Sequence, residues 1–368
     1  MGGTRRHRVL VVGSSGLVGF AALQRFAADP DFDVVGMARR MPDGLDPRVV
    51  LLSVDLQAGA LPPAVVAELS DVTHVVYAAL YEEPGLIAGW RSQAQMQTNL
   101  TMLQTVLDGL EGAAQLEHIT ILQGTKAYGA HVEPMAVPGR ERNPRHQHEN
   151  FYWLQEDELR ARAQRMGFTW TVLRPVVIFG EAIGGNMNPV PALGTYAAVL
   201  RARGEPLHWP GGVAGITEAV DADLVADVAH WAALTPHAHD EIFNVTNGDV
   251  FTMRNLWPAL ADALGMEVGE PRPLRLADAM PSAQMTWAEV HRRFGLRSPV
   301  DLVEFVGQSF VYADMLCGFG NDRLRPPSLV STIKLRQAGY GACMDTEDMI
   351  GKWITHHQDT GLLPPRRW

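Results

Sequence analysis

Cysteine is scarce in this chain of 368 residues. There are two, Cys317 and Cys343, and no CxxC pair. That count excludes a disulfide framework and a zinc ribbon. Long apolar runs are missing too: no stretch of 18 or more apolar residues occurs, so nothing has the character of a membrane-spanning helix. The basic start, Met1 to Arg8, leads only into the short run Val9–Val12, where a secretory leader needs a longer one. The expectation is a cytoplasmic protein with no membrane association. Positive charge is also short, with 31 basic against 41 acidic residues and a net charge of −10. An acidic surface disfavours nucleic acid and anionic lipid as partners. HExxH and GxSxG are both absent, which removes a helix-borne zinc site and a nucleophile elbow. The pairs His146/His148, His237/His239 and His356/His357 read as surface loops, and no metal is expected. No internal repeat or low-complexity segment is present.

What is there is an alternation of short β-type runs and helical stretches. Val9–Val12 is a continuous apolar run followed by glycines and a helical pattern through Ala21, Ala22, Leu23 and Phe26. Val34, Val35 and Met37 form a second run, Val49–Val54 a third and Val72–Tyr77 a fourth. A helix follows over about 92–110. His118–Leu122 and Thr169–Leu173 are two further strands, the last after a helix that starts near Phe151. The β-α-β-α order predicts an α/β fold, a doubly wound parallel Rossmann sheet with helices on both faces. After Arg174-Pro175 the pattern changes. Pro189, Pro191, Pro206 and Pro210 divide the chain into short pieces. A helix over 221–234, a strand over 242–245 that could rejoin the sheet, and a mostly helical remainder follow. The expected division is a nucleotide-binding domain over 1–185 plus about 231–250. A smaller, mainly helical substrate lobe takes 186–230 and 251–368 and offers a surface for a homodimer.

Gly13-Ser14-Ser15-Gly16-Leu17-Val18-Gly19 directly follows the first strand and opens the first helix. Glycines there let the backbone turn sharply and approach a pyrophosphate, which then meets the helix N-terminus. Gly13, Ser15, Gly16, Leu17, Val18 and Gly19 are therefore cofactor candidates, although the spacing is GxxGxxG rather than GxGxxG. An NAD site places a carboxylate about 20 residues on, for the ribose 2′-hydroxyl. This chain has Ala38-Arg39-Arg40 instead, and Asp33 falls at the start of the strand. Arg39 and Arg40 suit the 2′-phosphate of NADPH, because a guanidinium can clamp it with two donors. Asp55 and Leu56, after the third strand, are placed to flank the adenine. Ala78 and Ala79, after the fourth, are small enough for the dinucleotide to run along the backbone.

Short-chain dehydrogenases carry a YxxxK dyad, in which the Lys lowers the Tyr pKa. The helix Phe151-Tyr152-Trp153-Leu154-Gln155-Glu156-Asp157 has Glu156 where that Lys would stand. A lysine lies instead in Gly124-Thr125-Lys126-Ala127-Tyr128-Gly129, after the fifth strand, from where it could reach the same pocket.

Three segments together, GTKAYG, NFYWLQED and the run Arg174-Pro175-Val176-Val177-Ile178-Phe179-Gly180, resemble the progesterone 5β-reductase/iridoid synthase family of atypical extended short-chain dehydrogenases/reductases. The likeness extends to Asp71–Val75, Asn186-Met187-Asn188 and 243–251, and so spans nearly the whole chain. The resemblance implies Lys126 and Tyr152 as the catalytic pair. It also implies Tyr152, Pro175, Val177 and Ile178 beside the cofactor, and 1,4-reduction of enones or enals with NADPH. The substrate is then a small apolar carbonyl compound. Ala127 stands where the family motif has His, and Trp153 where it has a second Tyr. Two alternatives stay open: a carbonyl reductase or sugar-nucleotide epimerase/dehydratase of the extended type, and an NADPH-binding regulator without turnover.

Overall fold

The computed structural model describes residues 7–42 and 44–368. The extreme basic start, residues 1–6, lies outside them. The chain divides into two compact units: 1–176 with 222–245 and 330–342, and 177–221 with 246–329 and 343–368. The sequence expectation drew its first boundary at 185/186. It placed 222–230 and 330–342 in the lobe and 246–250 in the nucleotide-binding domain, whereas 222–245 and 330–342 pack with the first unit and 246–329 with the second.

The first unit is built on a seven-stranded parallel sheet. Six strands come in chain order: β1 (His7–Val12), β2 (Phe32–Ala38), β3 (Val50–Ser53), β4 (His74–Tyr77), β5 (His118–Leu122) and β6 (Thr169–Pro175). The seventh, Glu241–Val245, rejoins the sheet beside β6 as the sequence predicts. The spatial order is Glu241–Val245, β6, β5, β4, β1, β2, β3. Side chains alternate between the two faces of a strand. Leu10, Val12, Val35, Met37, Val75, Tyr77, Ile119 and Ile121 fill one face. There they pack on Met102, Leu103, Val106 and Leu107 of helix α3 (Gln93–Gly109) and on Leu159 and Ala163 of α4 (Phe151–Met166). The intervening Val9, Val11 and Val76 are buried on the other face. Helix α1 (Leu17–Ala27) packs there against the helix Ala222–Leu234. Both faces are covered, so the strands read as continuous apolar runs.

The direction of winding reverses between β1 and β4. The carboxyl ends of those strands therefore flank an open crevice, where α/β sheets bind their ligands. The glycine segment 13–19 leaves β1 at this point, and Ala78-Ala79 leave β4.

In the second unit the strand Val177–Phe179 pairs parallel with Ala219–Asp221. The helices Met253–Leu264 and Thr346–Asp359 pack together. One expectation is corrected here: Pro189 and Pro191 do not break the chain but open a 14-residue helix, Pro189–Ala202, buried over most of its length. Proline is tolerated in a first turn, whose N–H groups have no intrahelical acceptor. Among the described residues, no helix is long and apolar enough to cross a membrane.

The cap of that helix is the buried side chain of Asn188. Asn188 Oδ1 accepts from the Val190 amide at 3.2 Å, and its Nδ2 donates to the Gly180 carbonyl at 2.8 Å. Asn188→Ala is expected to lower the unfolding free energy by about 1–3 kcal/mol, because it removes the cap and leaves a buried carbonyl unpaired. Denaturant titration measures this; an unchanged midpoint would show that the cap is dispensable.

Candidate active site

The glycine segment is shaped by close backbone approach. Gly13 has φ +81°, and a Cβ on it would lie 2.7 Å from the Ala79 backbone. A Cβ on Gly19 would lie 2.1 Å from the Gly13 carbonyl oxygen. Gly13 lets β1 and β4 approach at the crevice, and Gly19 lets α1 sit against the turn. The first turn of α1 holds no acidic residue, and no side chain caps its N-terminus at Gly16. Its amides and positive dipole end are left for an anion. Ser15, Gly16 and Leu17 are half-buried there, while Val18 and Gly19 are buried. These features fit a dinucleotide pyrophosphate.

Arg39 and Arg40 are exposed immediately beyond the carboxyl end of β2, and Asp33 sits at its other end beside Arg8 of β1. Ala78 donates its amide to the Val12 carbonyl at 2.8 Å, and both alanines are half-buried. Asp55 has a local structural duty: it accepts from the Gln57 amide at 3.1 Å and so caps the short turn Leu56–Ala58. Leu56 is 6% exposed and belongs to the sheet's core. Pro175 ends β6 in the first unit, while Val177 and Ile178 lie in the second.

Lys126 and Tyr152 come together in the first unit. Lys126 lies in a 3₁₀ turn, Thr125–Tyr128, that follows β5; Tyr152 is in the first turn of α4. The Lys126 Nζ is 6.0 Å from the centre of the Tyr152 ring and 4.6 Å from that of Trp90. Gly124 matters here, because a Cβ on it would stand 3.3 Å from both the Tyr152 hydroxyl and the Pro175 carbonyl. Its bare backbone leaves room for that hydroxyl at the end of β6.

The two elements are joined by Asn150, which sequence reasoning quoted but gave no role. It is 6% exposed. Its Oδ1 caps α4 by accepting from the Tyr152 amide at 3.1 Å, and its Nδ2 donates to the Lys126 carbonyl at 3.1 Å. An Asn immediately before an apolar helical run is a readable cap signal. Trp90 was missed as well, and it has no local signature. Its Nε1 donates to Glu82 at 3.3 Å while its ring faces Lys126.

Glu156, in place of the dyad lysine, is 3% exposed. Its carboxylate meets Arg145 and Arg160 at 3.0 Å, Gln123 at 3.1 Å and Arg174 at 3.7 Å. Burial pushes its pKa up, but the Arg145 guanidinium and the Gln123 amide outweigh burial and hold the carboxyl below its usual range. It is therefore a structural anion, with its charge consumed by its neighbours. Glu156→Lys would set a fourth cation among three guanidiniums. It is expected to cost roughly 3–5 kcal/mol, as breaking a buried pair does, and to fail to restore a working dyad. A melting temperature equal to wild type would contradict this.

Lys126 is treated differently. Its Nζ is buried with no hydrogen-bond partner among the described residues. Burial lowers its pKa from 10.5 to about 8, with the Glu82 charge opposing. Between those two pH values the folded chain holds fewer protons than the unfolded one, so this group's contribution to stability rises with pH across the window. Below it the full cost applies, on the order of 3 kcal/mol. Lys126→Met is thus expected to stabilise the protein by about 1–3 kcal/mol at neutral pH and to remove the rise between about 8 and 10.5. Denaturant titrations at several pH values test this, and a destabilised Met variant would refute it.

Among the described residues one group has metal-like spacing, His7, His74 and Glu117, at the amino-terminal edge of the sheet. His74 already engages Thr73 Oγ1 at 2.8 Å and the Ala233 carbonyl at 3.2 Å, so both its nitrogens are in use.

A sheet reversed at β1/β4, a glycine turn feeding an uncapped helix, and a Lys–Tyr pair beyond β5 define a Rossmann-fold enzyme of the short-chain dehydrogenase/reductase type. Residues 53–324 match the PRISE-like Rossmann-fold domain, and the chain belongs to that family. An (S)-8-oxocitronellyl enol synthase of Nepeta racemosa is 36% identical over 78% of this chain and 76% of its own length. The 3-oxo-Delta(4,5)-steroid 5-beta-reductase of Arabidopsis thaliana is 29% identical over 96% of this chain and 92% of its own. Among solved structures, UDP-glucose 4-epimerase from Thermotoga maritima superposes with a TM-score of 0.65 at 16% identity, covering 96% of this chain and 99% of that one. The enzyme WbmG of Bordetella bronchiseptica, solved with NAD, gives 0.63 at 16% identity over 98% and 97%. At that identity they establish the fold.

Proposed function

We propose that this protein is an NADPH-dependent reductase of activated C=C bonds, acting on small apolar enones or enals. The observation that carries this is the Lys126–Tyr152 pair: a buried ammonium beside an aromatic ring whose hydroxyl borders a bare Gly124 backbone. Family membership supports it, since the relatives include a steroid 5-beta-reductase and enol synthases. The locked state of Glu156 speaks against the carbonyl-reductase alternative, because no cation stands one turn after Tyr152 to acidify it. A cytoplasmic location belongs to the same proposal; Cys343 is an exposed free thiol, which suits a reducing compartment.

The glycine turn and the α1 amides would hold the pyrophosphate, and Arg39 and Arg40 the 2′-phosphate. The bound nicotinamide would supply hydride chemistry. The chain's own part is electrostatic. Tyr152 donates a hydrogen bond to the substrate carbonyl oxygen, on which charge grows as the β-carbon is reduced. Lys126 stabilises that charge from behind the ring. No proton has to leave Tyr152 for this, so a strongly acidified phenol is not required. Trp90 and Phe151 exclude water from the ammonium, which strengthens its field.

The test mixes protein and NADPH with cyclic enones, enals and simple ketones and follows NADPH absorbance. Loss with enones or enals alone is expected. Loss with ketones alone would overturn the proposal, and no loss with any compound would favour a non-catalytic binder. Tyr152→Phe should lower kcat by roughly 10²-fold or more. The double variant Arg39→Ala/Arg40→Ala should raise the KM for NADPH about tenfold while leaving NADH little affected. Equal use of NADH by the wild type would remove the role given to these arginines.

A further inference from the structure

His146 and His148 do not behave as independent loop residues. A chain of contacts runs from Asn150 outwards: Asn150 Nδ2 to His148 Nε2 at 3.2 Å, His148 Nδ1 to His146 Nδ1 at 2.8 Å, and His146 Nε2 to Glu133 Oε1 at 2.8 Å. The direction of every bond follows from the first residue. Asn150 must place Oδ1 at the Tyr152 amide and Nδ2 at the Lys126 carbonyl, because the reverse orientation would set donor against donor and acceptor against acceptor. The second Nδ2 hydrogen then points at His148 Nε2, which accepts when the neutral ring carries its proton on Nδ1. A neutral His148 carries its proton on Nδ1 and donates to His146 Nδ1. His146 in turn carries its proton on Nε2 and donates to the Glu133 carboxylate. This arrangement satisfies the Asn150, His148 and His146 contacts together, whereas the Lys126 and His146 carbonyls, also within reach of the His148 ring, favour its charged form.

We infer that His148, oriented by His146 and Glu133, is a positioning residue for the Lys126–Tyr152 pair, acting through Asn150. The inference rests on the catalytic role proposed for that pair. His148 holds the amide whose other two bonds fix the turn carrying Lys126 and the first turn of α4. Protonation at Nε2 would turn its acceptor into a donor facing Asn150 Nδ2 and push the amide out of register.

The surroundings favour the neutral ring. From its own loop His148 faces His146. The His131 ring lies 4.9 Å away, and the Trp153 ring of α4 at 6.1 Å. Arg145 stacks on Trp153, and Arg91 donates to the His131 carbonyl at 3.3 Å. The neighbouring Glu149 carboxylate is taken by Gln93 at 3.1 Å. Burial, then the His146 charge, lowers the His148 pKa below its ordinary 6.5, against opposing hydrogen bonds to the His146 and Lys126 carbonyls. Burial also brings His131 down to about 4. The device is therefore intact at neutral pH and fails as pH falls below the usual histidine range.

The test has two arms. Long-range ¹⁵N–¹H NMR of the histidine-labelled full chain reads the tautomers without turnover: His148 protonated on Nδ1 and His146 on Nε2 are expected. Kinetics on an enone supply the second arm. The wild type should lose kcat on its acid limb. His148→Leu should lower kcat roughly ten- to a hundredfold with KM little moved. His148→Gln, whose amide oxygen can accept from Asn150, should recover most of kcat and lack the limb. A wild-type enone reductase with His148 protonated on Nε2 overturns this inference alone. So does a Leu variant that keeps both kcat and the limb, or a Gln variant as impaired as Leu. A protein with the expected tautomers that consumes NADPH with no enone overturns the catalytic reading of the pair, and this inference with it.

Discussion

The buried Glu156 carboxylate is the fixed point of the end of the first unit that carries the proposed Lys126–Tyr152 pair. Three segments distant in sequence meet on it: Gln123 at the end of β5, Arg174 on β6, and Arg145 from the loop before α4. Gln123 also accepts from Arg174 Nε at 2.8 Å and donates to the Tyr152 carbonyl at 3.3 Å. An unpaired carboxylate at that depth would cost several kcal/mol, so the helix can dock on the sheet only with these partners in place. Docking it places Tyr152 against Gly124, and the turn that begins at Gly124 carries Lys126. The residue that replaces the dyad lysine therefore sets the geometry that makes a lysine from elsewhere usable.

The two charged groups nearest the tyrosine are handled in opposite ways. Glu156 has more positive partners than it needs, and its field beyond the cluster is weak. Lys126 has an aromatic face and no hydrogen-bond acceptor among the described residues. A group left under-satisfied inside a fold is destabilising, and its field is available to whatever next enters the site. Stability is concentrated at Glu156, and the reactivity proposed for the Lys126–Tyr152 pair lies one helical turn earlier on the same face of α4.

Much of this was legible in the sequence. The strands were readable because a sheet covered on both faces demands apolar residues on both, as in the continuous run Val9–Val12, and His118–Leu122 still carries Ile119, Ile121 and Leu122. The glycine turn was readable because its steric demand is local: Gly13, Gly16 and Gly19 each answer to backbone within the same turn or to the next strand. Lys126 and Tyr152 stood out through motifs directly after β5 and at the start of α4. The helix Pro189–Ala202 was not legible, since proline signals a break unless the first turn can be located. Leu56 and Asp55 stand after β3 as expected of adenine neighbours, but their side-chain duties were not legible: Leu56 packs into the core and Asp55 caps a turn. The guanidiniums around Glu156 were invisible for a different reason. Arg145, Arg160 and Arg174 reach it from a loop, a helix and a strand, and no periodicity relates them.

The histidine chain shows how the backbone can settle proton positions that side chains alone leave open. His146 and His148 have two tautomers each, and their mutual contact permits either direction. Asn150 removes the choice because its amide is held at both ends by main-chain groups, the Tyr152 N–H and the Lys126 carbonyl. A helix cap, ordinarily a device for stability, here passes the orientation of one peptide group outward through two imidazoles to a surface carboxylate. The same bonds carry information inward: whatever changes the protonation of the outer ring is felt at the first turn of α4. On the roles proposed for Lys126 and Tyr152, the cap couples the geometry of that pair to the protonation state of the two imidazoles.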